Sequence, residues 1–305
     1  MIKLTILGSG AATPTLKRGV TAQYLNFNER RILIDCGEGT QLQVRRYGVK
    51  FQRIQYIFIS HLHGDHYLGL VGLLSSMNLL GRVNAMHIFA APELELILKQ
   101  QFELTYVKLN FELIFHHLTA KTTTLVLEDK VMTVKAIPLK HRISCYGFLF
   151  EEKIKERGVD PEAIKEFDLT IPEILALKAG KDVMRGEITM PNEDATFDPP
   201  KPKSYAFCTD TKYLTRLVDE IQGVDYLYHE ATFLEKEKDR AKATFHTTAL
   251  QAATLAKAAQ VGHLLLGHFS ARYRNTDELL SEAQSVFPNT TCVYDGQEFY
   301  LAKNN

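Results

Sequence analysis

"IFISHLHGDHYLGL", residues 57–70, places His61, His63, Asp65 and His66 within six positions, directly after an apolar run. The run has the composition of a buried strand, and a strand end is rigid ground from which a loop presents polar groups. A lone histidine usually sits satisfied in a core or on a surface. Several metal-competent side chains on one turn demand partners elsewhere in the chain.

The same context recurs. The run "VKAIPLK" precedes His141, "YAFCT" precedes Asp210, "DYLY" precedes His229 and Glu230, and "HLLLG" precedes His268. Such strand ends can meet on one rim, where sheet proteins gather their sites. Zinc takes neutral imidazole nitrogen and carboxylate oxygen. A catalytic ion keeps one position for water, which then loses a proton near neutral pH. Ligation by histidine and aspartate without cysteine therefore points to hydrolysis rather than to a closed structural site. Six or seven such ligands exceed what one tetrahedral ion uses. Two metals are expected, with a carboxylate such as Asp210 able to bridge them and a hydroxide held between.

The rest of the chain narrows the class. Its 305 residues suffice for a large core, and its 36 basic and 36 acidic residues cancel, so no global charge attracts nucleic acid or an anionic membrane. Cys36, Cys145, Cys208 and Cys292 lie far apart without a CxxC, which predicts buried free thiols in a reducing cytoplasm. The opening "MIKLTILGSGAATPT" is too short in apolar residues for a secretory leader. "YLGLVGLLSSMNLL" falls short of the ~20 apolar residues of a spanning helix and reads as a buried one. Only the "AKNN" end is expected to be disordered.

Short β-rich runs fill the first half: "IKLTILG", "AQYLNFN", "RRILIDCG", "IQYIFIS", "MHIFAA", "TTTLVLED", "VMTVKAIPL" and "CYGFLFEE". Helical patterns interrupt them at 39–48, 67–80 and 92–103. Residues 151–200 change character, becoming charged and then proline-rich, with Pro161 near a helix start, and form an excursion from the core. Strands then resume with "SYAFCTD", "VDYLYHE", "HLLLGH" and "TTCVYDGQEFYL", and helices are expected near 247–260 and 276–286. Strand-rich halves with interspersed helices predict two mixed sheets packed face to face, helices outside.

"HLHGDH" resembles the HxHxDH signature of the metallo-β-lactamase superfamily. "DCGEGTQLQ" (35–43), "SHLHGDHYLGLVGLL" (60–74), "HRISCYGF" (141–148), "TDT" (209–211), "HEATF" (229–233), "HTTALQAA" (246–253) and "LLLGHFSARY" (264–273) are similar to the ribonuclease Z family of tRNA 3′-processing endonucleases. These stretches run from end to end outside the excursion.

The resemblance implies an α/β (α+β) αββα four-layer sandwich as one domain over 1–305, with 151–182 as an inserted, tRNA-binding arm. It implies that His61, His63 and His141 hold one Zn2+, that Asp65, His66 and His268 hold the other, and that Asp210 bridges, with Mn2+ or Fe2+ as alternatives to zinc. Glu230 would orient His246, which would protonate the departing 3′ oxygen; Asp65, Glu230 and His246 are the catalytic candidates. Taken alone, Glu230 reads as a solvated or capping carboxylate. Asp35 is either a turn cap or the superfamily's aspartate behind the histidine ligands. His87, His116, His117 and His263 lie outside every matching stretch and receive no role.

The implied reaction is attack of a metal-bridged hydroxide on the phosphodiester that joins a 3′ trailer to precursor tRNA, leaving a tRNA 3′-hydroxyl and a 5′-phosphate trailer. The implied setting is a cytoplasmic homodimer free of membranes. The alternative is a small-molecule hydrolase of the same superfamily: a cyclic-nucleotide phosphodiesterase, arylsulfatase or lactonase.

This chain departs from the family in two places. Residues 151–182 carry six Lys/Arg against nine Asp/Glu, net −3, and "IPEILALKAGKDV" replaces a glycine-proline pattern. That charge opposes simple phosphate attraction, so the arm contacts RNA by shape or by a basic helix face, or is a surface insertion. In "ATPTLKRGV", Gly19 replaces the family's usual asparagine, leaving Lys17 and Arg18 as RNA contacts or as a solvated loop.

Overall fold

The computed structural model describes residues 2–301, and the "AKNN" end lies outside them. Along the chain run β1 (Ile2–Gly8), β2 (Ala22–Phe27), β3 (Arg30–Cys36), α1 (Thr40–Arg46), β4 (Tyr56–Phe58), α2 (Gly64–Tyr67), α3 (Leu70–Leu79), β5 (Met86–Ala90), α4 (Glu93–Leu104) and β6 (Leu113–His117). There follow β7 (Thr124–Glu128), β8 (Met132–Pro138) and β9 (Tyr146–Glu152). The excursion contains β10 (Gly158–Val159), α5 (Pro161–Glu166), α6 (Ile171–Lys178), β11 (Val183–Arg185), β12 (Ile188–Met190), α7 (Asn192–Ala195) and β13 (Thr196–Phe197). The chain ends with β14 (Ser204–Cys208), α8 (Leu217–Glu220), β15 (Tyr226–Glu230), α9 (Lys238–Thr244), α10 (Ala249–Ala258), β16 (His263–Gly267), α11 (Asp277–Gln284), β17 (Thr290–Cys292) and β18 (Glu298–Leu301).

Two mixed sheets form, as expected. The first has the order β18-β1-β2-β3-β4-β5-β6 and the second β17-β16-β15-β14-β9-β8-β7. In each, one half is antiparallel and the other parallel: β3 to β6 in the first, β14 to β17 in the second.

The inner parallel strands, β3 to β5 and β14 to β16, are largely apolar on both faces, and alternate residues serve different layers. Ile57 and Ile88 pack under the helices of the first sheet, whereas Phe58 and Phe89 face the second sheet. Across the gap, Phe207, Tyr228 and Leu265 meet them, while Ala206, Leu227, Leu264 and Leu266 turn outward to α10 and α11. Phe58 and Phe89 stack at 4.4 Å, and Phe148 of the second sheet meets Phe58 edge-on at 5.1 Å. Three apolar layers separate four structural ones, giving the α/β/β/α order.

In the two large sheets, two strand assignments differ from expectation. "LIFHH" forms β6, whose half-buried, polar composition hides it from an apolar-run reading. "TTCVYDGQEFYL" splits: β17 closes the second sheet, and β18 crosses back to pair with β1, Leu4 opposite Phe299. A cross-sheet connection leaves no mark in hydrophobic periodicity.

Residues 152–203 form a compact unit of their own, longer than the 151–182 segment. Ala163, Leu169, Leu177, Val183 and Ala195 make its small core. Asp160 caps α5 by accepting the Glu162 amide at 2.9 Å, and Pro161 opens that helix, as its sequence predicts. Among the described residues no helix is long and apolar enough to cross a membrane. Cys36, Cys145 and Cys208 are buried free thiols; Cys292 is free and only partly buried.

Candidate metal centre

The predicted ligands leave the strand ends. His61, His63, Asp65 and His66 follow β4 and enter α2; His141 follows β8, Asp210 follows β14 and His268 follows β16. His61, His63, His141 and Asp210 offer donor atoms all within 4.8 Å of one another, as do Asp65, His66 and His268. Asp210 stands between the groups. Its Oδ2 is 3.5 Å from His61 Nε2 and 3.8 Å from His141 Nε2; its Oδ1 is 3.4 Å from His66 Nε2 and 3.0 Å from His268 Nε2. Asp65 Oδ2 lies 3.4 Å from both His66 Nε2 and His268 Nε2.

These residues fit metal. Ligands about 2.0–2.1 Å from a tetrahedral ion stand about 3.3–3.4 Å apart, and the donor pairs here, from 3.0 Å to 3.8 Å, bracket that spacing. The buried Nε2 atoms of His66 and His268 make no hydrogen bond, although carboxylate oxygens are close. Such orphans are costly unless something else occupies the donor. The donor set is that of a divalent cation.

Behind the donors, a layer of hydrogen bonds sets the rings of His61, His66, His141 and His268. Asp35 Oδ2 accepts from His66 Nδ1 at 2.7 Å, and Asp35 Oδ1 takes the Ser60 amide at 2.7 Å. The Ser60 hydroxyl donates to Asp35 at 2.8 Å and lies 3.1 Å from His61 Nδ1, from which it accepts. Thus Asp35 orients one ring directly and another through Ser60. His141 Nδ1 donates to the Phe245 carbonyl at 3.2 Å, and Thr232 Oγ1 lies 3.0 Å from His268 Nδ1. With Nδ1 engaged in these four rings, Nε2 is left as their ligand nitrogen; His63 instead turns Nδ1 inward, 3.0 Å from His61 Nε2 and 3.1 Å from His141 Nε2.

Electrostatics follow from burial and these carboxylates. Burial lowers His61, His63 and His141 below the ordinary imidazole value, so they stay neutral and ready to ligate. Burial also opposes charge on His66 and His268, yet Asp210 and its neighbours raise both, His268 to about 10. The carboxylates that hold those protons would hold a cation in their place.

Glu230 and His246 meet at the same rim. Glu230 is fully buried, accepts the Thr211 amide at 2.7 Å and the Thr232 hydroxyl at 2.6 Å, and faces His246 Nδ1 at 2.9 Å. It is neither solvated nor a cap. His229 turns the other way, its Nδ1 donating to the Glu230 carbonyl at 2.8 Å, and is a core residue. His87 pairs with His116, His117 with Glu95 and His263 with Thr291, all outside the cluster.

Ten described non-glycine residues have positive φ, and Ala12, Asp35, Asp210, Phe245 and His268 among them build or flank the centre. Left-handed backbone costs about 1–3 kcal/mol per residue and persists where surroundings enforce it, as at binding sites. Sequence reading assigned no role to Ser60, Thr211 or Thr232. Each lies inside a matching stretch, beside a ligand or catalytic residue, and that adjacency was the available signal.

Arg142, Arg240 and Arg272 line the open cavity of about 400 Å3 above the donors, together with Phe233 and Ser270. Positive charge there suits a phosphodiester.

A family model described as "Anti-Pycsar protein Apyc1" matches residues 2–166, a span that ends before Asp210, Glu230, His246 and His268. The Ribonuclease Z of Bacteroides fragilis is 44% identical over 290 residues, covering 94% of this chain and 95% of that protein. The Ribonuclease Z of Phocaeicola vulgatus is 42% identical, covering 93% of each. The crystal structure of the short form of human tRNase Z superposes with a TM-score of 0.72 at 27% identity, over 98% of this chain and 99% of that one.

Proposed function

Because the chain belongs to the ribonuclease Z family of metal-dependent endoribonucleases, we propose that it removes 3′ trailers from precursor tRNA using two Zn2+ ions per subunit. The observation that carries this reading is Asp210 standing between two nitrogen-rich groups, with Glu230 and His246 on the same rim.

His61, His63 and His141 would hold one ion, Asp65, His66 and His268 the other, and Asp210 both. Divalent ions held there would lower the pKa of water toward neutrality and would offset charge on the phosphate oxygens. Asp35, Ser60 and Thr232 keep the ligand rings in place. Arg142, Arg240 and Arg272 draw the phosphodiester into the cavity. Glu230 holds Nδ1 of His246, so the protonated imidazole donates from Nε2 to the departing 3′ oxygen, leaving a tRNA 3′-hydroxyl.

The 151–182 segment is a tRNA-contacting exosite in this reading. Its net charge of −3 puts recognition on shape and ribose contacts rather than on phosphate attraction. The setting is cytoplasmic, which the four free cysteines support, and the assembly is the homodimer that the family resemblance implies.

Purified protein incubated with a 3′-extended tRNA should give one cut and a 3′-hydroxyl end. Hydrolysis of small phosphodiesters without tRNA cleavage would replace this reading with a small-molecule hydrolase.

A further inference from the structure

Asp295 lies on the connection that crosses from β17 to β18, between the two sheets' edges, and no part of the chemistry above uses it. Its carboxylate accepts four hydrogen bonds. Oδ1 takes the Ser9 amide at 2.9 Å and the Ser9 hydroxyl at 2.7 Å; Oδ2 takes the Gly19 amide at 2.6 Å and Gln43 Nε2 at 2.8 Å. Ser9 and Gly19 are the two ends of one loop.

That loop reaches the metal centre and the protein surface. Near its start the Ala12 amide donates to Asp65 Oδ2 at 2.7 Å. Further along, Lys17 and Arg18 line a cavity of about 410 Å3 with Tyr273 and Arg274. Ala271 lines this cavity and the one above the donors, so the two adjoin. Arg18 lies over the Phe269 ring at 5.4 Å and donates to the Tyr273 carbonyl at 2.9 Å, while Lys17 is exposed.

Within the loop, backbone bonds are few: Gly10 to Gly19 at 2.9 Å, Thr15 to Arg18 at 2.8 Å and Thr13 to Ala11 at 2.7 Å. Two ends fixed on one carboxylate leave the intervening residues little freedom. Gly19 suits this packing, because a Cβ there would stand 3.1 Å from Gln43 Nε2 and 3.4 Å from Asp295 Oδ2.

We propose that Asp295 is a positioning residue for RNA binding: by holding both ends of the 9–19 loop it sets Lys17 and Arg18 against a phosphate of the strand entering the site. The role rests on the ribonuclease reading above. Asparagine is the informative replacement, since it keeps the shape but puts an NH2 where an acceptor oxygen faced two donors.

The test compares wild type, Asp295→Asn, Lys17→Ala and the double variant on 3′-extended tRNA, with amide exchange measured on each. Asp295→Asn and Lys17→Ala should each raise KM about tenfold with kcat changed less than about twofold, and each should flatten the salt dependence of binding by about one ion. The double variant should be no worse than Asp295→Asn alone. Exchange should quicken at Ser9 and Gly19. If Asp295→Asn does not fold, Gly19→Val crowds the same bonds and should raise KM alike.

A fall in kcat at unchanged KM, or full additivity with Lys17→Ala, overturns the positioning role. Failure of the wild type to cut tRNA, with loop exchange still quickened in Asp295→Asn, overturns the ribonuclease reading and the RNA role with it while leaving the clamp.

Discussion

Glu230 Oε1 and His246 Nδ1 face each other across 2.9 Å, although one ends β15 and the other sits in the turn before α10. Burial opposes charge on both. Each partner's charge outweighs it, so the Glu230 carboxyl is held below its ordinary value and His246 above. The imidazole therefore holds its proton more firmly than an ordinary histidine, the direction a general acid needs.

A direction in pH follows. A general acid works only while protonated, so kcat on precursor tRNA should fall as pH rises through the raised value of His246. Glu230→Gln removes the charge that raises it, and the alkaline limb should move to lower pH. A pH profile of kcat decides this; a limb that stays in place in Glu230→Gln would exclude His246 as the titrating acid.

His246→Ala should cost about 10²–10⁴-fold in kcat on tRNA, whose leaving oxygen needs a proton. On bis(4-nitrophenyl) phosphate, whose leaving group is stable as an anion, the loss should be far smaller. Equal losses on the two substrates would assign His246 to the metal centre instead, where it does lie close to Asp210 and His268.

Asp35→Asn should weaken metal affinity about 10–100-fold, because the carboxylate receives His66 directly and His61 through Ser60. Competition with a chromogenic chelator measures it. Unchanged affinity would reduce Asp35 to a structural acceptor. His63→Ala, by contrast, removes a donor itself and should abolish cleavage of tRNA and of the small ester together, with a lower metal content by elemental analysis.

Much of this was legible because chemistry and periodicity coincide. A run such as "IFIS" announces its strand and its loop at once, and parallel strands buried on both faces give continuous apolar runs, hence the two sheets and the shared rim. Contacts that depend on tertiary meeting leave no such trace. Its neighbourhood to Glu230 flags Thr232 but not its second partner, His268, and nothing local marks Asp295 as the acceptor for Ser9, 286 positions away. β6 escaped because its strand carries two histidines and is only half-buried. The short strands inside the excursion escaped because the pairs β10–β13 and β11–β12, two and three residues long, are too short for any periodicity to register.

The excursion offers a clean separation of RNA recognition from chemistry. β9 and β14 are antiparallel neighbours, Glu151 opposite Ser204, and the Glu152 amide donates to the Lys203 carbonyl at 2.8 Å. The chain thus leaves and re-enters the second sheet at adjacent points, and residues 153–202 can be replaced by an Asn-Gly turn, whose twist suits a two-residue hairpin. The donors of the metal centre and Glu230 and His246 all lie outside the removed span. The shortened protein should keep hydrolysis of bis(4-nitrophenyl) phosphate within about twofold, while cleavage of precursor tRNA falls tenfold or more, on the order of 1.4 kcal/mol of lost transition-state binding. A full-length tRNA and a minimal acceptor-stem substrate refine the test: an exosite contacting the distal part of tRNA helps only the former. If the shortened protein cuts both as the wild type does, residues 151–182 are a surface insertion. If it loses the small ester too, the excursion supports the fold of the site rather than the binding of RNA.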